Sequence, residues 1–495
     1  MLDTISLLYH MQRVAIVRWI IFEEGLHGRN PPLHTHSQFP RSPVLHEIFH
    51  NGIPRSAGNF PMLAKHILFE FHTHNMGTFN AFLSLPWIFL AVEERTVIAE
   101  AMQEFVTLTC IQFIRRSTEH DYINISLCWS YFGKIGGKQQ LGLAKNGCIY
   151  KGLIQHEINH ALGFIHEQAR NDRDKYVKIH LEYVTAGEQG NFEKVDSNNL
   201  GLPYDYGSVM HYGPYDFSSA PGKATIVPIP NASVPIGQRI GLSDLDVKKI
   251  NKLYRCNCCS TVLRNRRGNF SSTNYPYSYP KNVTCLWLIQ IPEGKVFLKF
   301  HVLDLQRSPN CSSDYIRIYD GNNRNARLLV DKLCGEGQLP AVVSSGSMML
   351  VEFVSDEAVA SKGFTASYAH VICGGTFTST HGVVTSPNFP RKYPPNKRCL
   401  WIISAPAGSR ISLTMGFFDL EEAAGCNYDR LVFRDGSDIS SPLLGTFCGK
   451  TEVPAFNSTG SFLRIEFYSD HVSQYSGFKQ IKALFEPWRT GKSNT

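Results

Sequence analysis

Three residues in the stretch HEINH are of the types that bind and activate a metal ion. His156 and His160 are four positions apart, so on a helix their imidazoles lie one turn apart and point towards the same place. Glu157 is rotated off that line, where its carboxylate can reach a metal-bound water rather than the metal. The spacing therefore predicts two zinc ligands and a general base on one helix.

The residues that follow extend this site to three ligands. Gly163 lies three positions after His160, where a glycine can end the helix with a left-handed turn and return the chain to deliver His166. Three protein ligands leave one position open for water, whose pKa zinc lowers to about 7, so the predicted chemistry is peptide-bond hydrolysis. The alternative, an ordinary histidine-rich helix, requires the five positions of HExxHxxGxxH to match by coincidence.

A second HExxH occurs at residues 46–50, and it serves as an internal control. Ile53 stands where the glycine should be, Ser56 stands where the third histidine should be, and Pro54 helps to break any helix there. Without a sustained helix the ligands have no scaffold, so we interpret this copy as fortuitous.

The elements that must position the zinc site are helices packed on a sheet. EERTVIAEAMQEFVTLT, from residue 93, places apolar residues at helical spacing, and KGLIQHEINHALGF predicts a second, mostly buried helix. From about residue 167 to residue 256 the chain is rich in Gly, Pro, Asn and Asp, which indicates an irregular lobe closed by a last helix near LSDLDVKKINKLY. This part of the chain is predicted to be α+β.

The C-terminal half is an internal repeat. Four cysteines and an aspartate recur at offsets of 114, 114, 115, 114 and 114 residues: Cys259, Cys285, Cys311, Cys334 and Asp356 match Cys373, Cys399, Cys426, Cys448 and Asp470. Short alternating stretches such as DYIRIYD and LRIEFYS predict brief antiparallel strands. Each copy is predicted to be an all-β sandwich of roughly a hundred residues.

Composition bounds the class of protein. The 495 residues predict two to four domains, and the net charge of +7 comes from scattered lysine and arginine, which argues against a nucleic-acid or membrane surface. Thirteen dispersed cysteines and six N-x-S/T sequons favour secretion into an oxidising compartment, although the first 25 residues make an unconvincing signal peptide. The longest apolar run, residues 79–92, is too short for a transmembrane helix, and we expect none.

The motifs together resemble a known family. HEINHALGFIHEQ, DRDKYVKI and PYDYGSVMHYGPYDF are similar to the astacin family of metzincin zinc endopeptidases, and the repeats resemble CUB domains, an arrangement of the hatching-enzyme type. The resemblance implies an α+β astacin-like catalytic domain at 93–256, followed by all-β CUB sandwiches at 259–369 and 373–486.

The resemblance also implies roles for individual residues. It makes His156, His160 and His166 the zinc ligands and Glu157 the base, with Met210 in the methionine turn beneath the metal and Tyr212 as a fifth ligand that swings to the tetrahedral intermediate. From the sequence alone, Tyr212 is more often a core or surface tyrosine. Glu167 is implied to receive the buried N-terminal amine of the mature domain.

The cysteine pairing is likewise implied by the resemblance. The implied disulfides are Cys110–Cys256 and Cys128–Cys148 in the catalytic domain, then Cys259–Cys285, Cys311–Cys334, Cys373–Cys399 and Cys426–Cys448 in the CUB copies. Cys258 is left over, and it is free, exchanges with its neighbours or bridges to another chain.

Residues 1–92 depart from the family pattern. The family's propeptide latch is an aspartate in an FxGD loop, and the only aspartate before residue 121 is Asp3. Nor do these residues offer a recognisable equivalent of the family's first strand. We therefore expect 1–92 to be an anomalous segment without a recognisable propeptide, largely disordered, and the sheet beside the zinc helix to lack an edge strand.

The CUB copies contain a second candidate metal site. Three carboxylates at predicted strand ends of the second copy suit calcium, which prefers oxygen ligands: Glu421, Asp429 and Asp470. The first copy has one charge fewer at the matched positions: Gln306, Asp314 and Asp356. We expect weaker binding there, and solvated surface carboxylates are the alternative for both copies.

Two hypotheses for function follow. The first is a secreted zinc endopeptidase whose CUB pair binds an extracellular protein coat, such as an egg envelope, where its protein substrate lies. The second is a non-catalytic extracellular binding protein in which the CUB modules act while the protease domain is latent or misfolded.

Overall fold

A computed structural model describes most of the chain from residue 79 onwards. The described residues are 79–84, 91–125, 130–141, 149–337, 341–378, 383–406 and 408–487. The HExxH at residues 46–50 and most of the anomalous segment lie outside them.

The N-terminal lobe of the catalytic domain places a helix against a parallel sheet. Its elements are β1 (Phe79–Ser84), α1 (Val92–Leu108), β2 (Ile111–Arg115), β3 (Tyr122–Ile125) and β4 (Lys138–Leu141). The strands lie in the order β2-β1-β3-β4, and all three pairings are parallel. Helix α1 begins with a carboxylate cap, where the Ala91 N–H donates to Glu94 at 2.7 Å, and it buries an apolar face that includes Ile98 and Phe105.

Strand β1 corrects one sequence-based expectation. We expected residues 1–92 to supply no strand to this sheet, yet Phe79–Ser84 pairs with β2 on one side and β3 on the other. In FNAFLS, Asn80 and Ser84 alternate with apolar residues but Phe82 interrupts the alternation, so only its pairing identifies this short stretch as a strand.

The zinc-motif helix and the irregular lobe complete the domain. The remaining elements are α2 (Lys151–Ala161), β5 (Val177–Ile179), β6 (Ile226–Pro228) and α3 (Asp244–Leu253). Helix α3 opens with a capping box in which Ser243 and Asp246 bond each other's backbone N–H. The Asp246 carboxylate also accepts from the Ser208 hydroxyl at 2.6 Å and the Val209 N–H at 2.9 Å, so the cap of α3 holds the loop that leads to Met210.

The first repeat is a two-sheet sandwich. Its strands are β7 (Cys258–Leu263), β8 (Arg267–Ser271), β9 (Thr284–Gln290), β10 (Lys295–Asp304), β11 (Tyr315–Tyr319), β12 (Leu328–Leu333), β13 (Val342–Val343), β14 (Met348–Val354) and β15 (Gly363–Val371). One sheet has the order β13-β10-β15-β8 and the other β12-β11-β14-β9-β7. Cys285, Trp287 and Ile289 of β9 point into the core between the sheets.

The second repeat has the same plan. Its strands are β16 (Cys373–Phe377), β17 (Arg398–Ser404), β18 (Ser409–Asp419), β19 (Arg430–Asp435), β20 (Leu443–Phe447), β21 (Phe456–Asn457), β22 (Phe462–Tyr468) and β23 (Gly477–Pro487). The sheets have the orders β16-β17-β22-β19-β20 and β21-β18-β23. In each repeat the first strand joins its sheet edge in parallel with the next strand of that sheet, β7 with β9 and β16 with β17.

The outer face of each five-stranded sheet is covered by the preceding domain. In the first repeat, Leu286 and Leu288 of β9 and Leu350 of β14 point away from the sandwich core and join the apolar cluster of the catalytic domain, together with Phe105 and Ile250. Burial on both faces explains why TCLWLIQ lacks the polar alternation of a solvent-facing strand.

The two repeats contact each other through the same kind of face. Leu400 and Ile402 of β17 pack against Val343 of β13. Lys299 of the first repeat forms an ion pair with Asp438 of the second. Each sandwich therefore uses its outer sheet face to pack on the domain before it.

Each of the three domains contains at least one disulfide bond. The structure joins Cys110 to Cys256, Cys259 to Cys285, Cys311 to Cys334, Cys373 to Cys399 and Cys426 to Cys448. The implied Cys128–Cys148 bridge lies outside the described residues, and Cys258 is a free thiol. Within the described ranges, each helix is too short or too polar to cross a bilayer.

Candidate metal centre and CUB carboxylate cluster

Helix α2 and the turn after it bring three imidazoles together. His156 and His160 lie on α2, and Gly163 adopts φ +88°, the left-handed conformation that reverses the chain. His166 then returns to the helix, and its Nε2 lies 3.2 Å from Nε2 of His156 and 3.2 Å from Nε2 of His160. The sequence-predicted spacing thus places three ring nitrogens around one point.

The other ring nitrogens fix the tautomer of two of these histidines. Nδ1 of His156 lies 2.8 Å from the Val209 carbonyl oxygen, and Nδ1 of His160 lies 2.9 Å from that of Phe164. A carbonyl oxygen only accepts, so each Nδ1 carries the proton and each Nε2 presents a lone pair.

This donor set fits zinc. Nitrogens about 2.0–2.1 Å from a tetrahedral zinc lie roughly 3.3 Å from one another, close to the separation of the Nε2 atoms here. The Nε2 lone pairs of His156 and His160 face Nε2 of His166, an arrangement that a cation among the three nitrogens satisfies. Backbone carbonyls at the outer nitrogens of His156 and His160 are the partners that zinc-binding histidines use.

The electrostatics keep the three rings neutral. Burial lowers the pKa of His156 and His166 well below the usual range, and repulsion from the His160 imidazolium lowers both further. Burial lowers the pKa of His160 to about 4. Since a metal ligand must be deprotonated, these shifts leave the nitrogens free to coordinate at neutral pH.

Glu157 is half-buried beside the histidine cluster. Burial raises the pKa of Glu157 to about 7, and the positive charge of Arg239 opposes that rise. Arg239 itself donates to the His211 carbonyl at 2.9 Å. Arg239 carries no sequence signal for this role, because no local motif marks a residue that reaches the site from 82 positions away in the chain.

The segment SVMHY contacts the histidines through Val209 and Tyr212. Met210 is buried, and its carbonyl accepts from the Glu167 N–H at 3.1 Å. The ring centroid of Tyr212 lies 4.4 Å from that of His166, and burial raises the pKa of the Tyr212 phenol above its usual range.

Two further residues hold this segment, His211 and Tyr204, and no motif in the sequence indicates a role for either. Nδ1 of His211 lies 2.7 Å from the Tyr212 carbonyl and must donate to it, so Nε2 of His211 accepts from the Tyr204 hydroxyl at 2.7 Å. Both side chains are buried, so this chain of hydrogen bonds fixes the backbone of Tyr212.

Glu167 is buried behind the histidines. Its carboxylate accepts from Arg170 at 3.0 Å, from the Asp205 N–H at 2.9 Å and from Lys249. A cavity of about 280 Å³ adjoins it, lined in part by Asn159. The N-terminal amine that the resemblance assigns to Glu167 lies outside the described residues.

The carboxylates predicted to bind calcium do converge in the second sandwich. Glu421, Asp429 and Asp470 each present an oxygen within 4.8 Å of the others. Asp429 is held from both sides, since its carboxylate accepts from the Tyr393 hydroxyl at 2.6 Å and from the Asp470 N–H at 2.7 Å.

The first sandwich has the same scaffold with one change. Asp314 accepts from the Tyr279 hydroxyl and from the Asp356 N–H at 2.8 Å, as its counterpart does. Gln306 stands in the position of the first carboxylate. With its amide oriented so that both atoms are satisfied, its nitrogen donates to Asp356 Oδ1 at 3.2 Å and to the Val359 carbonyl at 3.0 Å. An amide that donates hydrogen bonds therefore stands where the second sandwich has the carboxylate of Glu421.

Together these features define a histidine-ligated zinc peptidase with two sandwich modules. Comparison with known protein families gives the same result: residues 89–255 match the Astacin peptidase family, and residues 259–368 and 373–481 match the CUB domain. The chain belongs to the astacin family and is a zinc metalloendopeptidase. The predicted α+β catalytic domain followed by two CUB sandwiches is thereby confirmed.

Individual relatives agree. The chain is 47% identical over 390 residues to the Embryonic protein UVS.2 of Xenopus laevis, covering 78% of this chain and 75% of the relative. It is 52% identical over 276 residues to an astacin-like metalloendopeptidase of Gallus gallus, covering 55% and 67%. A solved structure of high choriolytic enzyme 1, a hatching enzyme zinc-protease from Oryzias latipes, is 47% identical, covers 36% of this chain and 91% of its own, and has a TM-score of 0.36.

Proposed function

We propose that the chain hydrolyses peptide bonds of extracellular proteins at a zinc ion held by His156, His160 and His166. The observation that carries this proposal is the convergence of the three Nε2 atoms, with two of the outer nitrogens committed to backbone carbonyls. Bound zinc supplies Lewis acidity, which polarises a scissile carbonyl and lowers the pKa of a water ligand to about 7.

The chain's own residues then move the protons and stabilise charge. Glu157 takes the proton of the attacking water and passes it to the leaving amine, as a half-buried carboxylate beside the reacting atoms can do. Tyr212 keeps its proton, because burial raises its pKa, and its hydroxyl donates to the negative oxygen that develops on the substrate carbonyl. The hydrogen bonds from His211 and Tyr204 hold Tyr212 for that role.

The proposed setting is outside the cell, with an egg envelope or a similar protein coat as substrate. The five disulfides of the described residues suit an oxidising compartment, and the name of the Xenopus relative supports an embryonic role. Calcium bound by Glu421, Asp429 and Asp470 would order the loops at the end of the second CUB domain for binding a protein partner.

Metal analysis and a digestion assay test the proposal. Purified full chain should contain one zinc per molecule and should digest casein, and a zinc chelator should abolish the digestion. Folded protein with stoichiometric zinc but no proteolysis would favour the alternative, an extracellular CUB binding protein with a latent protease domain. Material without zinc, or digestion that survives the chelator, would overturn the proposed mechanism.

A further inference from the structure

An arginine of the first CUB domain reaches into the catalytic domain. Arg264 follows β7, and its side chain is 26% exposed. One guanidinium nitrogen, Nη2, donates to the Leu242 carbonyl at 2.6 Å and lies 3.7 Å from a carboxylate oxygen of Glu104. The other terminal nitrogen, Nη1, donates to Gln290 of its own domain at 2.9 Å. The side chain therefore bridges the two domains.

The peptide unit that Arg264 contacts is bound to the zinc-motif helix. The Leu242 N–H donates to Gln155 Oε1 at 2.9 Å, and Gln155 immediately precedes His156. Three residues before Leu242, the Arg239 carbonyl lies directly on Gly152 of the same helix, where an added Cβ would be 2.0 Å from the oxygen. The segment from 239 to 242 is thus pressed on the first turns of α2.

The carboxylate that Arg264 approaches also belongs to this contact. Glu104 of α1 is fully buried and forms an ion pair with Lys151, the first residue of α2. A cation at a helix N-terminus opposes the helix dipole, and the Glu104 carboxylate offsets this charge. Arg264 supplies the second cation near Glu104. The first CUB domain therefore helps to balance the charge at the N-terminus of the zinc-motif helix.

The internal repeat provides a comparison for Arg264. The position 114 residues later, in the second CUB domain, is occupied by Thr378. The second domain has the same sheet topology around its first strand without an arginine there. The CUB scaffold itself therefore does not require Arg264, and its contacts lie mainly with the catalytic domain.

We propose that Arg264 is a positioning residue for the zinc-binding helix, acting through Leu242 and Gln155, so that the first CUB domain is part of the catalytic unit. The inference rests on the proposed function. Replacing Arg264 removes the donor to the Leu242 carbonyl and one of the two cations near Glu104. The start of α2 is then held less firmly, and His156 and Glu157 lose part of their preorganisation.

The test uses full-length, zinc-loaded protein and three variants. Arg264→Met keeps the length of the side chain and removes its charge and donors. Arg264→Lys keeps the charge and a point-like donor but loses the planar guanidinium that donates to Leu242 and Gln290 at once. Arg266→Met is the matched control, because Arg266 lies two positions away, is largely exposed and pairs with Glu293 inside the same domain. The readouts are the rate at which a chromophoric chelator removes zinc, kcat and KM on a peptide, and the thermal midpoint.

The expected result separates positioning from general stability. Arg264→Met should lose zinc about 10-fold faster, the lower end of the range for residues that orient metal ligands, with a reduced kcat and a nearly unchanged KM. Arg264→Lys should fall between this variant and wild type, and Arg266→Met should match wild type in every readout. Where Arg264→Met yields no folded protein, Arg264→Lys alone decides, and zinc release faster than wild type is the supporting outcome.

Two kinds of failure are distinguishable. If wild-type protein holds no zinc or cleaves nothing, the proposed function fails first. If wild type is an active zinc enzyme and the Arg264 variants release zinc as slowly as wild type and Arg266→Met, the positioning role of Arg264 is wrong. A KM that rises while zinc release and kcat stay unchanged would also overturn it, because that result would place Arg264 in substrate binding.

Discussion

Glu157 and His156 are neighbours in sequence, but the proposed mechanism gives them different tasks. The His156 ring is fixed by its bond to the Val209 carbonyl, whereas burial raises the pKa of Glu157 to about 7, which suits a group that exchanges a proton near neutral pH. We predict that Glu157→Gln, which keeps the shape and removes the basic oxygen, lowers kcat by at least about 100-fold while one zinc per molecule is retained. Peptide cleavage and metal content on the same sample check this.

The control for Glu157 is a carboxylate on an exposed helix face. Glu100 lies on the solvent side of α1, and Glu100→Gln should leave both cleavage and zinc content unchanged. A Glu157→Gln enzyme that keeps more than a tenth of wild-type kcat would remove Glu157 from the proton transfer.

What the sequence predicts at this scale is set by local spacing. His156, His160 and His166 lie within eleven positions, and one helix and one turn are enough to bring them together. Arg239 and Tyr204 act on the same site from other segments, and their contacts depend on how the irregular lobe folds back. Neither the hydrophobic periodicity nor the motif spacing of a single sequence shows that these two residues lie close to the histidines.

At the scale of elements, the zinc-motif helix is constrained by close packing at its start. Gly152 has ordinary helical geometry, so alanine would normally stabilise the helix there by up to about 1 kcal/mol. An alanine Cβ would lie 2.0 Å from the Arg239 carbonyl oxygen, which is backbone and cannot rotate away. We predict that Gly152→Ala instead destabilises the protein by roughly 1–3 kcal/mol, as measured by thermal unfolding.

Gly163 provides the contrast, since its restriction comes from the backbone and not from space. A Cβ there meets nothing within 4 Å, but φ is +88°. Gly163→Asn should therefore be tolerated better than Gly163→Ala, because asparagine enters the left-handed region more readily.

If Gly152→Ala stabilised the protein, the close contact between Arg239 and α2 would be wrong.

The two CUB domains differ at one carboxylate position, Glu421 in the second domain and Gln306 in the first, so each residue can be replaced by the other's type. We predict that wild-type chain binds one calcium, in the second domain, that Glu421→Gln abolishes this binding, and that Gln306→Glu creates a second site. The physical reason is that the surrounding hydrogen bonds match, and only an amide that donates to Asp356 stands where the other domain has a carboxylate. Equilibrium dialysis of the full chain and both variants counts the ions.

The control for the exchange is a carboxylate outside both clusters. Asp331 is an exposed aspartate of the first domain that pairs with Arg317, and Asp331→Asn should leave the calcium count unchanged. Equal calcium binding by the wild type and Glu421→Gln would mean that the cluster consists of ordinary surface carboxylates.

The elements themselves were predictable to different degrees. Helices α1 and α2 followed from their apolar periodicity, and the sandwich strands followed from alternation and from the repeat. Strand β1 did not, because its six residues are too few and too mixed to indicate a strand, and only their pairing with β2 and β3 identifies it.

At the scale of the whole molecule, the domains are packed on one another through sheet faces. The repeat predicted where each CUB domain lies in the chain, but it did not predict this packing. Single sequences show which residues are apolar, and they do not show whether the second apolar face of a strand meets another domain. The stretches TCLWLIQ and RCLWIIS have leucines and isoleucines on both faces, and in each repeat the outward set contacts the domain before it.

This packing predicts that the catalytic domain and the first CUB domain unfold together. Leu288 is fully buried, points outward from the sandwich and belongs to the apolar cluster of the catalytic domain. Leu288→Ala should cost about 2–4 kcal/mol and lower the midpoint of the shared transition by roughly 5–10 °C. Leu328→Ala, in the same domain but 38% exposed, should shift it by no more than about 2 °C. If calorimetry showed equal midpoint shifts for Leu288→Ala and Leu328→Ala, or no shift of the catalytic-domain transition in Leu288→Ala, the two domains would unfold independently.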